Sequence, residues 1–207
     1  MIYRYMILTL LVMLTSACIQ LGESVVPSQY YILEPMTSAT DTYSDKDLII
    51  AIEFTDFPDY LKRIPIVQHQ QNLIYFTDTK RWATPLEEQL KSLLAGNLEL
   101  LLPYSTIIIS PWQSSPQIDH QLQVSVKKFS GQLGHQTDID IRWHLVDKNG
   151  KKSSGQFIDR QPIDDSYEDF VRTLNRGLAE LSKTLAQELA KKNIRVNSVA
   201  PGSILFS

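Results

Sequence analysis

Cys18 has the most distinctive chemistry in this chain of 207 residues, because it is the only cysteine. A single cysteine excludes an internal disulfide and every metal site built from several cysteines. Three small residues, Thr15, Ser16 and Ala17, precede it and end the chain's long apolar run. A thiol at the end of such a run is a typical lipid-attachment site, so we expect acylation of this sulfur.

Residues 1–17 have the three-part layout of a secretory signal. Arg4 lies in a short first region, an apolar region covers 5–14, and small residues follow. The apolar region is too short to span a bilayer. Three interpretations stay open: lipidation of Cys18 with cleavage before it, ordinary secretion, or an uncleaved anchor. We favour lipidation, with Thr15 standing where the lipobox normally has leucine.

The remaining polar residues do not form the pattern of an enzyme. There is no HExxH, no G-x-S-x-G and no P-loop sequence, so neither a zinc protease site, a nucleophile elbow nor a P-loop nucleotide site is indicated. Asp138 and Asp140 share one face of a predicted strand, where an exposed surface or a subunit contact is expected instead of acid–base catalysis. We therefore predict no enzymatic activity, no metal and no cofactor. None of the four histidines is spaced to share a metal with another: His69, His120, His135 and His144.

Composition predicts one globular domain without affinity for nucleic acid. The chain is 43% hydrophobic and 21% charged, with a formal net charge of -3. A nucleic-acid-binding surface needs clustered lysine and arginine, and the sequence has no dense basic cluster.

Two amphipathic helices are predicted. The first starts with Thr84 as its cap, Pro85 in the first helical position and Glu87 in the third, and it ends at Pro103. The second covers about 164–191 and carries an apolar stripe at helical spacing.

Strands are predicted from apolar runs and alternation. Single strands are predicted at 28–33, 47–54 and 106–110. A further strand runs through Leu122, Val124 and Val126, with a bulge at Lys127–Lys128. Two hairpins are predicted, one of 64–67 with 73–76 and one of about 138–146 with 151–160. The predicted fold is a single α/β domain of the α+β type, in which both helices pack on one face of a mixed sheet. The predicted division is a signal at 1–17, a tether at 18–27, a domain at 28–192 and a tail at 193–207.

Three spaced segments carry a resemblance to a known family. They are YYIL at 30–33, DYLKRIPIV at 59–67 and RWATPLEEQL at 81–90. With the signal that ends in Cys18, this chain resembles the PqiC family, the auxiliary lipoproteins of ABC-type and MCE-type lipid transport systems. Tyr60, Leu61, Arg63, Trp82 and Pro85 match the family pattern, and with Arg81 they are candidates for a structural or a partner-facing role.

The resemblance implies a non-enzymatic protein anchored through lipid on Cys18 to the periplasmic face of the outer membrane. Ile19 after the cysteine, instead of aspartate, also favours the outer membrane. The implied partner is a tunnel-forming MCE-domain protein, and a homo-oligomer in the form of a ring is implied as well. The alternative is a structural or assembly lipoprotein of the envelope with no transport role, and a periplasmic hydrolase ranks last.

Residues 185–204 also resemble a segment of short-chain dehydrogenases. A dinucleotide site would need a glycine-rich fingerprint after an early strand, and that family also has Tyr-x-x-x-Lys. Both are missing from this sequence. We therefore predict no nucleotide binding.

Overall fold

The computed structural model describes residues 26–39, 42–43, 47–111 and 117–191, together with Tyr3. Cys18, the tail at 193–207 and all of the predicted signal except Tyr3 lie outside these residues. The elements are β1 (Gln29–Tyr31), β2 (Ile49–Asp56), a 3-10 helix (Asp59–Lys62), β3 (Pro65–Gln70), β4 (Leu73–Trp82), α1 (Leu86–Leu101), β5 (Thr106–Ile109), β6 (His120–Gln132), β7 (Gln136–Asp147), β8 (Lys152–Asp159) and α2 (Tyr167–Ala190).

The eight strands form one mixed sheet built around the long strand β6. On one side, β6 pairs antiparallel with β7, which pairs antiparallel with β8. On the other side, the first half of β6 pairs parallel with β2, and Gly131 near its end pairs with Gln68 of β3. Two strand groups therefore share this side of β6: β2 with β5, and β3 with β4 and β1. The predicted α+β fold with a mixed sheet is confirmed.

Both helices cover one face of the sheet and join its apolar side chains in one core. Alternation along β6 and β7 sends Val124, Val126, Ile139 and Ile141 to this face, and all four are buried. Burying each such side chain contributes about 1.5–3 kcal/mol. Residues 185–190 of the dehydrogenase-like segment form the end of α2, where Leu185, Ala186 and Leu189 belong to this core.

The local predictions for the hairpins and the bulge are confirmed. β3 and β4 pair as a hairpin, and the pairing of β6 with β7 shifts between Val126 and Lys128. β4 is longer than predicted because its second half pairs with Pro65 and with β1.

The prediction that Thr84 caps α1 is wrong. The N-cap is Pro85, without a side-chain capping bond. The carbonyl of Thr84 instead accepts a hydrogen bond from Gln89 Nε2 at 2.8 Å, while Gln89 Oε1 accepts one from the backbone N–H of Leu33 at 2.8 Å. Glu87 pairs with Lys91 at 2.6 Å and does not reach back to a cap. The buried Gln89 side chain thus joins the start of α1 to the segment after β1.

Gly131 allows the backbones of β6 and β7 to approach closely, so replacing it should be costly. A Cβ at Gly131 would lie 2.5 Å from the carbonyl oxygen of Gln136 and 2.8 Å from the Cα of Thr137. Because these are backbone atoms, we expect Gly131→Ala to lower the free energy of unfolding by about 1–3 kcal/mol in urea denaturation. Gly96→Ala in α1 is the control: nothing lies within 4 Å of its Cβ position, so this variant should gain about 0.5–1 kcal/mol. Equal effects of the two changes would contradict the packing at Gly131.

Candidate functional site

Four consecutive apolar residues are exposed at the start of β4. Leu73, Ile74, Tyr75 and Phe76 are 60%, 39%, 46% and 43% exposed. Because neighbouring side chains in a strand point to opposite faces, exposure of all four means that the core covers neither face. We call Leu73–Phe76 the hairpin tip. A contiguous apolar patch of this kind is typical of an interaction site, whereas single exposed apolar residues are ordinary.

The strand pairing explains why the hairpin tip is exposed. Gln70 pairs with Leu73 across a two-residue turn in which Gln71 has a φ of 53°. On its other side, β4 pairs with β1 only through Lys80–Trp82. The first part of β4 is therefore an edge, with only β3 beside it.

The motif segments at 59–67 and 81–90 meet at the base of this hairpin. Leu61 and Trp82 are 1% and 2% exposed and belong to the core. The backbone N–H of Trp82 donates to the carbonyl of Ile64 at 2.8 Å, and Arg81 pairs with Pro65. Leu61 and Trp82 thus fix the hairpin to the body.

The other motif residues lie around that base. The guanidinium carbon of Arg63 stands 4.8 Å from the centre of the Phe76 ring, a cation–π contact with the hairpin tip. Arg81 Nε donates to the carbonyl of Asp78 at 3.2 Å. Tyr60 is half-buried, and this burial together with the nearby Asp138 carboxylate raises its pKa. Pro85 is exposed at the start of α1.

A group of polar and aromatic side chains joins β1 and the hairpin to the start of α2. We call it the tyrosine junction: Tyr31, Gln68, Lys80, Tyr167 and Glu168. The Tyr31 hydroxyl donates to Glu168 Oε1 at 2.9 Å, and Gln68 Nε2 donates to the Tyr167 hydroxyl at 2.6 Å. Lys80 Nζ lies 5.6 Å from the centre of the Tyr167 ring, and the Tyr31 and Tyr167 rings are 6.0 Å apart. Sequence reasoning missed this junction, although Tyr31 is part of YYIL.

Tyr31 should make stability depend on alkaline pH. Burial, then the hydrogen bond to Glu168, raises the pKa of Tyr31 from 10.0 to about 12. The stabilisation is therefore complete below pH 10 and is lost as the pH rises towards 12. In urea denaturation we expect Tyr31→Phe to cost about 1 kcal/mol at pH 8 and less at pH 11.5. Tyr30→Phe, at an exposed neighbouring position, should have the same free energy of unfolding as the parent protein at both pH values. A constant Tyr31→Phe deficit would contradict the assignment.

The direction of β1 shows from which side the chain enters the domain. β4 begins at the hairpin tip, and β1 runs parallel to it, with Gln29 beside Lys80. The segment before Gln29 therefore arrives from the side of the hairpin tip. The turn between β7 and β8, at Asn149 and Gly150, lies at the opposite end of the sheet.

The two aspartates on β7 form hydrogen bonds and ion pairs with neighbouring side chains. Asp138 accepts Lys128 Nζ at 2.8 Å and Arg160 Nε at 3.3 Å, and Asp140 accepts Gln156 Nε2 at 2.8 Å. Among the described residues, no three histidine, aspartate or glutamate side chains are grouped to hold a metal ion. Within the same residues, no helix is both long and apolar enough to cross a bilayer.

Comparison with known proteins agrees on the family. The profile described as "ABC-type transport auxiliary lipoprotein component" matches residues 30–186. The "Intermembrane transport lipoprotein PqiC" of Escherichia coli K12 is 25% identical over 169 residues, which are 80% of this chain and 88% of that protein; the Shigella flexneri protein matches equally. A crystal structure of an uncharacterized protein superposes with a TM-score of 0.66 at 25% identity, covering 79% of this chain and 99% of that one.

A Xanthomonas campestris protein shares the fold, with a TM-score of 0.67 at 12% identity, over 79% of this chain and 95% of that one. The profile match spans the hairpin, α1, α2 as far as Ala186 and every residue of the tyrosine junction. This chain belongs to the family of ABC-type transport auxiliary lipoprotein components.

Proposed function

We propose that this protein is an accessory subunit of an intermembrane lipid transport system, held by lipid on Cys18 at the periplasmic face of the outer membrane. The observation that supports this proposal is the match to the family profile over residues 30–186. The PqiC relatives, which align with 80% of this chain at 25% identity, agree with it. The name of those relatives supplies the transport role, and the anchor is the one predicted for Cys18.

In this proposal the partner is an MCE-domain protein that forms a tunnel from the inner membrane, and the lipoprotein docks its far end. Several copies would have to surround such a tunnel, so a ring-shaped homo-oligomer belongs to the proposal. The contacts described above support binding over catalysis. The carboxylates of Asp138 and Asp140 accept cross-strand hydrogen bonds and ion pairs, and the most exposed apolar segment of β4 is the hairpin tip.

The proposed tether supports an anchored domain. Residues 18–27 can span at most roughly 33–36 Å when fully extended. Such a tether keeps the body close to the membrane.

Co-isolation tests the proposed partner. The full-length tagged protein is expressed in its own host, crosslinked in intact cells and purified from solubilised membranes, and an unrelated outer-membrane lipoprotein with the same tag is the control. We expect an MCE-domain protein to be strongly enriched over the control. Enrichment of envelope-assembly proteins without any MCE-domain protein would contradict the transport role and favour the structural alternative. Native mass spectrometry of the same sample measures the number of copies.

A further inference from the structure

We propose that the hairpin tip is a second membrane contact, which inserts into the interfacial layer of the membrane that holds the lipid on Cys18. This inference rests on the proposed function, because it assumes that Cys18 is lipidated. It adds a contact made by the folded body and thereby fixes which end of the domain faces the bilayer.

The direction in which the chain enters β1 is the first argument for this contact. Because β1 is parallel to β4, residues 26–28 enter β1 from the side of the hairpin tip. The end of the sheet that holds Asn149 and Gly150 lies at the other end of β6, roughly 40 Å away for a strand of this length. A lipid on Cys18 therefore favours the hairpin end of the domain as the end that faces the membrane.

The lengths of the tether and the hairpin are compatible with one common surface. From Lys80, which lies beside Gln29, β4 extends roughly 24 Å to Leu73. From Gln29 back to Cys18 the chain can span at most roughly 36–40 Å. The lipidated cysteine can thus reach the level of the hairpin tip with some slack.

The composition of the hairpin favours lipid as the occupant. Residues 65–77 contain no aspartate or glutamate, although Asp78 follows them in the chain and Asp165 lines a pocket with Gln70 and Tyr75. The turn at residues 70–72 is polar and exposed, the aliphatic and aromatic side chains of Leu73–Phe76 follow it, and Arg63, Lys80 and Arg81 lie nearer the body, with Arg63 against Phe76. Aromatic and aliphatic side chains at the front with basic side chains behind them are typical of proteins that contact the membrane interface. A single small tip binds weakly alone, but a covalent lipid holds it at high local concentration.

Quenching of a fluorophore by labelled lipid tests the contact. In the lipidated full-length protein the Cys18 sulfur is a thioether, so a cysteine introduced by Leu73→Cys is the only thiol that reacts with a polarity-sensitive dye. The matched control is Tyr104→Cys, at a residue that is 65% exposed and precedes β5 at the far end of the sheet. Both proteins are reconstituted into phosphatidylethanolamine–phosphatidylglycerol vesicles that carry nitroxide lipids. We expect quenching at position 73 to be at least several-fold stronger than at position 104.

The readouts separate the two proposals. Vesicle flotation of the unlabelled protein comes first: a protein that does not float, or that has a reactive Cys18 thiol, overturns the anchor and hence the proposed location. A protein that floats but shows equal quenching at positions 73 and 104 overturns the hairpin contact alone. A blue-shifted, unquenched dye at position 73 also overturns it, because protein would then cover the tip.

Discussion

Trp82→Ala is expected to lower the free energy of unfolding by about 3–5 kcal/mol, as replacing a fully buried large side chain does. Trp82 is 2% exposed and packs in the core at the base of the hairpin. Its loss would leave a cavity in the core at the base of the hairpin. Urea denaturation followed by far-UV circular dichroism measures the effect without relying on tryptophan fluorescence.

Leu73→Ala is the control for Trp82→Ala within the same strand. Leu73 is 60% exposed at the hairpin tip, so its truncation should change stability by no more than about 0.5 kcal/mol. A similar cost for both variants would contradict the division of β4 into a buried base and an exposed tip.

Cys18→Ser is expected to abolish palmitate labelling and to remove the protein from the outer-membrane fraction. Each buried methylene of an acyl chain contributes about 0.8 kcal/mol to membrane binding, so the loss of all chains leaves no stable attachment through lipid. Metabolic labelling followed by membrane fractionation measures both effects.

Thr15→Leu is the matched control for Cys18→Ser. It restores the leucine that the lipobox normally has three positions before the cysteine, so this variant should be labelled at least as well as the parent. If the Cys18→Ser protein still carried palmitate, another residue would have to be the attachment site. If the parent protein were unlabelled, ordinary secretion would be the better interpretation of 1–17.

Periodicity was enough to predict much of the fold. The alternation in β6 and β7 requires one buried face, and the apolar stripe of α2 requires a core against which to pack. Lys127 and Lys128 interrupt the alternation, and the register shifts at that place. These features are local, so they can be predicted from a single sequence.

Long-range pairing could not be predicted in this way. β1 lies beside the end of β4, far along the chain, and no local pattern specifies this parallel register. Asn97 interrupts the apolar stripe of α1 because its buried amide accepts from the backbone of Met36 at 2.9 Å and donates to Ser182 at 3.1 Å. The Thr84 cap was predicted wrongly because the tertiary hydrogen bonds of Gln89 define the start of α1.

The candidate site was predicted only in part. The sequence does not decide between a structural and a partner-facing role for the motif residues, and the structure places Leu61 and Trp82 in the core but Arg63 on the surface against Phe76. The hairpin tip itself was predicted as an ordinary strand, because an apolar run looks the same whether or not the core covers it.

Mass spectrometry of the mature N-terminus, from protein purified out of native membranes, tests the central claim most directly. The account predicts that Cys18 is the first residue, with a diacylglyceryl group on its sulfur and an acyl chain on its amino group. A first peptide with an unmodified Cys18 thiol, or one that still contains residues 1–17, would contradict it.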